Sequence, residues 1–387
     1  MATKLKAGII GLGILGRQYI DLFTRHAALE VAAVCDVRRA VADEAAAAIN
    51  ADAYDDAHAM LTEQTLDLAV IATPDHLHVA PSLAAIEAGV PAVIQEKPLA
   101  TTLADAETLY NAVEQRGTRF FINYANRAMP LDLAAYYVVQ QGLIGKPVYA
   151  ECRLDDNISV PTGLWGERSA EFSAGSSTAH FLLSHVVDLM HWLFAPARVV
   201  EVFAIRQDVV LGHTPDLYDA YLLFDSGLKV RCKAEWIRYM DEIVEFYTSI
   251  SGERGTLIYN KRPGFGTRES WRANFGDAAA GMDLQRHLDA LGSQGVYLRA
   301  ARHYRPQSGG YYAPSVALSL EHDGPDGATG MMLVEPMLDA ILGDTLQPSS
   351  WVDRGPLPTH VDGLRQVRVV HAIEESAKSG QPVAVSA

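Results

Sequence analysis

Short apolar runs alternate with alanine-rich helical stretches along the first 125 residues. The runs are AGII (7–10), EVAAVCD (30–36), LDLAVIAT (66–73), VPAVIQ (90–95) and TRFFIN (118–123). They are continuously apolar, which is typical of strands that are covered on both faces, as in a parallel sheet. The alternation of strand and helix therefore predicts an α/β domain with a doubly wound parallel sheet over residues 1–125.

The pattern changes after about Tyr124, where we predict a second domain over residues 126–387. A helix over 130–141 is followed by longer and more alternating segments, at 146–154, 199–208, 218–225, 228–237 and 245–260. FDSG and SGERG indicate hairpin turns between or within these segments. Such a pattern predicts an α+β domain with a large, mostly antiparallel open sheet that helices cover on one face. In the glycine-rich stretch 261–330 only a helix near 282–291 is predicted, and two more helices are predicted at 333–342 and 362–379.

Composition narrows the classes of protein that fit this fold. Of the 387 residues, 49% are hydrophobic and 20% are charged, which is typical of a globular chain of two domains. The net charge of −15 excludes nucleic acid and anionic membrane surfaces as partners, because both are negatively charged. The first strand begins near Lys6, which leaves no room for a leader, and no apolar run reaches the ~18 residues that span a bilayer. We expect a reducing, cytoplasmic setting.

Cysteine and histidine spacing argues against disulfides and metal sites. The three cysteines, Cys35, Cys152 and Cys232, are far apart and form no CxxC pair. The histidines do not recur in sets of three at the i, i+4 spacing of helical metal ligands. We therefore expect no metal.

A glycine-rich turn directly after the first strand carries the clearest chemical signal. Gly11, Gly13 and Gly16 form GxGxxG, a pattern that allows a tight turn, close approach of backbone N–H groups to a pyrophosphate, and close helix–strand packing. Asp36 ends the second strand, where a carboxylate accepts hydrogen bonds from both ribose hydroxyls and repels a 2′-phosphate. This favours NAD over NADP, although Arg38 and Arg39 soften that preference. The expected cofactor contacts in this region are Gly11, Gly13, Ile14, Leu15, Asp36, Val37 and Arg38.

Five further segments, combined with the glycine motif, resemble the Gfo/Idh/MocA family of glucose–fructose oxidoreductase, inositol dehydrogenase and their relatives. They are ATPDHLH (72–78), QEKP (95–98), NYANR (123–127), GLIGKP (142–147) and HVVDLMHW (185–192). The similarity extends over nearly the whole chain, and the combined spacing is specific although each segment alone is not.

The resemblance implies a reaction and a set of site residues. Enzymes of this family oxidise a secondary hydroxyl of a sugar, cyclitol or related polyol and pass the hydride to the nicotinamide. Lys97 and His185 are the implied catalytic residues: an ammonium stabilises a forming alkoxide, and an imidazole accepts a proton near neutral pH. Pro98 matches a proline that often follows a cis peptide bond. The resemblance adds Thr73, Pro74, His78, Glu96, Lys97 and Asn126 to the cofactor contacts, and Lys97, Arg127, Trp165, His180 and His185 are the expected substrate contacts.

One position departs from the family pattern. Many members have an aspartate four residues before the catalytic histidine, whereas this chain has Phe181, so a three-residue proton relay is incomplete. His180 is an uncertain substitute because it points about 100° away around a helix. Asp188, one turn after His185, is interpreted either as its partner or as a packing residue. The residues after 154, including Asp155, Asp156, Asn157 and Arg168, either line a substrate pocket in loops or are simply solvated.

The sequence therefore predicts an NAD(H)-dependent dehydrogenase or reductase of sugar-like alcohols and ketones, assembled as a homodimer or homotetramer. Two alternatives stay open. One is a lyase or glycosidase that uses NAD only transiently, and the other is a dinucleotide-binding sensor without catalysis, which the loss of the aspartate at position 181 favours.

Overall fold

The computed structural model describes residues 4–261, 271–275, 283–292, 297–301, 316–320, 330–351 and 353–386. The chain divides into two compact units. The first comprises Met1–Ala125 and Gly330–Arg368, and the second comprises Asn126–Thr329 and Val369–Ala387. We placed 330–368 in the second domain on sequence, and the structure corrects this. The segment joins the sixth strand of the first unit, where the Ile122 amide donates to the Pro358 carbonyl (3.0 Å) and Phe121 bridges Thr359.

The first unit is built on a six-stranded parallel sheet. Its strands β1–β6 are Leu5–Ile10, Leu29–Cys35, Asp52–Tyr54, Leu68–Ile71, Ala92–Glu96 and Arg119–Asn123. Their spatial order, β3-β2-β1-β4-β5-β6, is the doubly wound order of dinucleotide-binding domains, so the predicted fold class is confirmed. The helices α1–α5 between the strands are Ile14–Arg25, Arg39–Ile49, Ala57–Glu63, Val79–Glu87 and Leu103–Arg116. The sequence did not predict β3, because its three residues contain no apolar run.

Local signals set the helix ends in this unit. Thr102 Oγ1 accepts from the Asp105 amide at the start of α5 (3.1 Å), and the helix stops at Gly117 with φ +67°. These are the capping residues expected at the two ends of a helix. The middle of the sheet is covered on both faces, since every residue of β4 and β5 is buried. Burial therefore holds the carboxyl ends of these strands, and the residues that follow them, in fixed positions.

The second unit contains a ten-stranded sheet. Its strands β7–β15 are Pro147–Asn157, Val199–Gln207, Leu217–Phe224, Lys229–Arg238, Val244–Gly252, Gly255–Asn260, Trp271–Phe275, Leu298–Ala301 and Val316–Leu320, with β16 at Val383–Ala384. The order is β14-β15-β13-β12-β11-β7-β10-β9-β8-β16. Within the described ranges every pairing is antiparallel except β7 with β10. FDSG and SGERG connect β9 to β10 and β11 to β12, which confirms both hairpins.

One face of this sheet packs on helices. The helices α6–α10 are Pro130–Gln140, Ser159–Thr162, Ser169–Gly175, Ser184–Leu193 and Leu284–Gly292, and Ala179–Leu183 is one π-helical turn. Inward residues of β7 and β10, such as Cys152 and Ala234, belong to one apolar cluster with residues of α6 and α9. The cluster also includes apolar residues between positions 369 and 373, near the end of the chain. The opposite face carries Glu151, Arg153, Asp219 and Arg231 in alternation with those buried positions.

The C-terminal part of the chain returns to helix. Helix α11 is Val334–Leu342, and α12 is His360–Ser379, whose first half belongs to the first unit and whose end belongs to the second. Both follow the sequence prediction closely, as does α10. Most of the remaining stretch 261–330 lies outside the described residues. In the part of the chain that is described, no helix combines the length and apolarity needed to cross a membrane.

Candidate active site

The turn between β1 and α1 fits a dinucleotide pyrophosphate. Gly11 has φ +92°, and a Cβ there would lie 2.6 Å from the Ala72 carbonyl carbon. At Gly16 a Cβ would lie 1.9 Å from the Gly11 carbonyl oxygen. Around Gly13, in contrast, a Cβ would meet nothing within 4 Å. Glycine is thus required by packing at two positions, while the third faces open space at a helix start that has no side-chain cap, which is where a phosphate group binds.

Asp36 follows β2 and is buried beside this turn. Its carboxylate accepts hydrogen bonds from the Leu12 amide (3.0 Å) and the Arg38 amide (3.0 Å), and the Arg38 guanidinium grips both oxygens at 2.9 and 3.1 Å. Burial alone would raise the pKa of Asp36, but the hydrogen bonds from Arg38 and Leu12 outweigh it, and the pKa lies below its usual value. Asp36 is therefore a fixed carboxylate. The neighbouring side chains of Ile14 and Val37 are largely exposed.

A buried histidine joins the loops that follow β4 and β5. His78 places Nδ1 2.7 Å from the Pro98 carbonyl oxygen and Nε2 2.8 Å from the Thr73 carbonyl oxygen. Gln95 also donates to the Pro98 carbonyl (3.0 Å), and the Lys97–Pro98 peptide bond is cis, as the resemblance implied. Burial lowers the pKa of His78 despite the two carbonyls. The His78 ring thus lies between both loops, unexposed, and in its neutral form donates to one of the two carbonyls.

Glu96 is the last residue of β5 and Lys97 follows it, and both are buried. The Glu96 carboxylate accepts from Tyr19 Oη (2.8 Å) and Asn123 Nδ2 (2.9 Å). Burial raises the pKa of Glu96, although Asn123, Tyr19 and Lys97 each act in the opposite direction. Carboxyl ends of parallel strands meet at one edge, so Glu96 and Lys97 share the edge that carries the glycine turn and Asp36. Tyr19 lies in none of the motifs, so the sequence did not predict its contact with Glu96.

His185 stands near the start of α9 in the second unit and contacts Asn126. The distance from Asn126 Nδ2 to His185 Nδ1 is 3.3 Å, and Asn126 Oδ1 accepts from Lys261 Nζ at 2.9 Å. Lys261 also forms an ion pair with buried Asp132 (2.6 Å). The Asn126 side-chain amide thus lies between His185 and Lys261, and its expected contact with the cofactor stays a prediction. Neither Lys261 nor Asp132 lies in any of the motifs.

Arg127 and Asp188 form a buried ion pair in the same unit. Arg127 Nε and Nη2 lie 3.0 and 2.5 Å from the two Asp188 oxygens, and each side chain is 2% exposed. The ion pair gives Asp188 a packing role, and its partnership with His185 stays a prediction. A guanidinium buried against a carboxylate holds this segment in place, and the expected contact of Arg127 with substrate stays a prediction.

The turn before His185 differs from the sequence expectation. Residues Ala179–Leu183 form a π-helical turn, so the 100° spacing of an α-helix does not describe His180. The His180 ring lies against Glu374, with Nε2 3.4 Å from Oε1. Phe181 packs edge-on against Phe172 and at a tilt against Trp236. Phe181 is thus part of an aromatic cluster.

Trp165 extends this aromatic cluster through Phe172, with ring centroids 4.8 Å apart. The indole N–H groups of Trp165 and Trp236 are buried and have no hydrogen-bond acceptor among the described residues. We predicted that Asp155, Asp156 and Asn157 follow the strand as a loop, and this is wrong because they form the end of β7. Asp155 is fully buried there and pairs with Lys233 and Arg238 at 2.9 and 3.0 Å.

Comparisons with known proteins agree with the motifs. The family model described as "Oxidoreductase family, NAD-binding Rossmann fold" matches residues 5–124, and the GFO/IDH/MocA C-terminal domain matches residues 133–258. Inositol 2-dehydrogenase 1 of Saccharopolyspora erythraea is 33% identical over 254 residues, which are 59% of this chain and 71% of that protein. The chain belongs to the GFO/IDH/MocA family.

Two other similar proteins are less identical to this chain in sequence. Inositol 2-dehydrogenase of Salmonella paratyphi B is 28% identical over 231 residues, 58% of this chain and 66% of that enzyme's length. Levoglucosan dehydrogenase, in a complex with NADH and L-sorbose, has the same fold with a TM-score of 0.75 at 21% identity, covering 99% of both chains. The family assignment confirms an oxidoreductase fold with an NAD-binding Rossmann domain.

The described residues contain no group of three or more His, Cys, Asp or Glu side chains placed to hold a metal ion. Cys35, Cys152 and Cys232 are free and buried, and burial raises the pKa of Cys35 and Cys152 to about 12. Thiols of that kind are protonated at neutral pH, so none is an activated nucleophile.

Proposed function

We propose that this member of the family is an NAD(H)-dependent dehydrogenase that interconverts a secondary alcohol and a ketone on a sugar, cyclitol or related polyol. The observation that carries the proposal is one edge of the Rossmann sheet. There, the open turn at Gly13, the fixed carboxylate of Asp36 and the buried pair Glu96 and Lys97 lie at the carboxyl ends of their strands. The relatives named above are dehydrogenases of inositol and of levoglucosan.

The residues of the first unit fit NAD. The glycine turn and the first amides of α1, at Ile14 and Leu15, suit the pyrophosphate, and Asp36 suits the adenosine ribose. Thr73 and Pro74, in the loop that His78 holds, and Glu96, which Tyr19 and Asn123 orient, suit the nicotinamide side. When bound, NAD supplies the acceptor for the substrate's hydride.

The protein's own side chains manage the proton and the charge. Lys97, held by a backbone that His78 and Gln95 anchor, stabilises the oxygen as the hydroxyl proton leaves. His185 is the second group that we assign to that oxygen. The Arg127–Asp188 ion pair fixes the segment after Asn126 against the helix of His185. We assign Trp165 to a ring-shaped substrate for its aromatic surface beside Phe172. We assign His180, whose ring pairs with Glu374, to the same substrate.

The test is NADH formation with a panel of polyols, followed by product analysis. The panel contains inositol isomers, apiose, levoglucosan and non-polyol secondary alcohols as controls. Growth of NADH absorbance with matching ketone formation supports the proposal. Product without net NADH indicates a lyase or glycosidase, and NADH binding without turnover of any polyol indicates a sensor. Either result overturns it.

We also propose a homodimer or homotetramer that forms through the outward face of the ten-stranded sheet. That face carries Tyr149, Phe203, Ile205 and Tyr221 at 40–56% exposure, around the Arg231–Asp219 ion pair (2.6 Å). Apolar side chains mixed with paired charges of both signs suit a second copy of the same surface. The three cysteines are buried and form no disulfide, which suits the reducing, cytoplasmic setting that we propose for the protein.

A further inference from the structure

A chain of polar contacts runs from a buried ion pair to His185. Asp132, on α6, is fully buried, and its two oxygens accept from Tyr259 Oη (2.7 Å) and Lys261 Nζ (2.6 Å). Burial raises the pKa of Asp132, and the charge of Lys261 acts against this. Lys261 extends directly after β12, and its Nζ lies 3.7 Å from the centroid of the Phe246 ring. The ammonium is thereby held in one place.

This ammonium determines which way the Asn126 amide faces. A lysine Nζ has only donors, so the atom of Asn126 that lies 2.9 Å from it must be the carbonyl oxygen Oδ1. The reverse orientation would set two donors against each other. The amide nitrogen Nδ2 consequently faces His185 Nδ1, at 3.3 Å.

An amide N–H beside a ring nitrogen makes that nitrogen the acceptor. Neutral histidine has one protonated and one unprotonated ring nitrogen, and the partner of one decides the state of the other. We propose that Lys261 is a positioning residue that, through Asn126, fixes neutral His185 as the tautomer protonated on Nε2. Three separate segments of the chain, around positions 126, 185 and 261, are needed to set this state.

The consequence for chemistry rests on the function proposed above. A neutral His185 of this tautomer donates from Nε2 to a substrate oxygen, and it does not take the hydroxyl proton at that nitrogen. The hydroxyl proton then has to pass to another group, and we assign it to Lys97 in its neutral amine form, which becomes the ammonium that stabilises the oxygen. This assignment differs from the one that the resemblance implies, in which the histidine is the base. It requires no carboxylate at position 181.

The tautomer itself is measurable without substrate or cofactor. The full-length protein is labelled with ¹⁵N-histidine, and solid-state ¹⁵N spectra are recorded about two units above the ordinary histidine pKa of about 6.5. The chain has 13 histidines, and subtracting the spectrum of His185→Gln isolates the signals of His185. We expect Nδ1 to resonate as an unprotonated ring nitrogen and Nε2 as a protonated one. A protonated Nδ1 in the wild type overturns the proposal.

Variants test whether Lys261 sets this state. In Asn126→Asp the carboxylate only accepts, so the two resonances should exchange positions. In Lys261→Met the amide loses its anchor, and a second set of signals with protonated Nδ1 should appear, whereas Lys261→Arg should restore the wild-type spectrum. An unchanged spectrum in Lys261→Met contradicts the role of Lys261.

Lys233→Met is the matched control, because Lys233 also pairs with a fully buried aspartate, Asp155 (2.9 Å), and should leave the His185 signals unchanged. If Lys261→Met does not fold, the double variant Lys261→Met with Asp132→Asn removes both buried charges together and serves in its place. All these spectra are independent of turnover, so failure of the proposed activity would not affect their outcome.

Discussion

Replacing Asp36 by asparagine is expected to reverse much of the preference for NAD over NADP. The wild-type carboxylate is held by four hydrogen bonds from Leu12 and Arg38, with a depressed pKa, so it is charged throughout the physiological range. A 2′-phosphate about 4 Å from it would meet a repulsion of roughly 4 kcal/mol at an effective dielectric constant of about 20. Asparagine removes that charge but keeps an acceptor for the ribose and for the Leu12 amide.

Two opposite changes in affinity follow. A hydrogen bond to a charged acceptor contributes about 1.5–3 kcal/mol, so loss of the charge should weaken NADH binding by about tenfold or more. At the same time Arg38, which now grips both carboxylate oxygens, is released to meet the 2′-phosphate, and NADPH should bind at least about tenfold more tightly. The ratio of the two dissociation constants should therefore shift by roughly 10²-fold or more.

The assay is titration of NADH and NADPH by calorimetry at fixed salt. Asp43→Asn is the matched control, since Asp43 is an exposed carboxylate that pairs with Arg39 at 2.9 Å on the same helix. That variant should leave the ratio unchanged. Equal affinity of the wild type for the two cofactors, or an unaltered ratio in Asp36→Asn, would refute the assignment of Asp36 to the ribose.

Three further predictions concern the two units. Phe181→Asp should lower the free energy of unfolding by about 1–3 kcal/mol rather than restore a relay, because it places a carboxylate at a partly buried position against Trp236; chemical denaturation with unchanged stability would contradict this. The lowered pKa of His78 means that the unfolded chain binds a proton first, so stability should fall as pH drops below about 6.5, by up to about 1.4 kcal/mol per pH unit. His78→Asn should flatten that slope in unfolding scans. Tyr221→Glu should release a 42.0 kDa protomer in light scattering, whereas Tyr239→Glu, in an exposed loop, should not.

The local pattern of apolar residues was sufficient to predict most strands of the Rossmann unit. It failed where contacts between segments distant in sequence determine the structure. Continuous apolar runs identify β1, β2, β4, β5 and β6, whereas Asp52–Tyr54 becomes a strand only because β2 offers it an edge. Likewise, nothing near 330–368 tells which sheet this segment joins. Its place depends on the bridge from Thr359 to Phe121, more than 200 residues away.

The candidate site shows the same division. Gly11, Asp36, Lys97 and His185 lie in motifs whose spacing is short, so the sequence reveals them. Lys261 and Asp132 contact the site only because β12, α6 and the turn at Asn126 converge in the folded unit. The π-helical turn before α9 was not predictable from apolar periodicity either, and it changes how His180 and Phe181 relate to His185.

The central claim is that Lys97 acts on the substrate oxygen while a polyol transfers its hydride to NAD. The most direct measurement is single-turnover NADH formation by Lys97→Met with the best substrate from the polyol panel, at saturating NAD, beside the wild type. The account predicts a rate lowered by roughly 10²–10⁴-fold, the usual contribution of a positioned proton-transfer group, with NADH affinity reduced only slightly. An unchanged rate of NADH formation in Lys97→Met would contradict it.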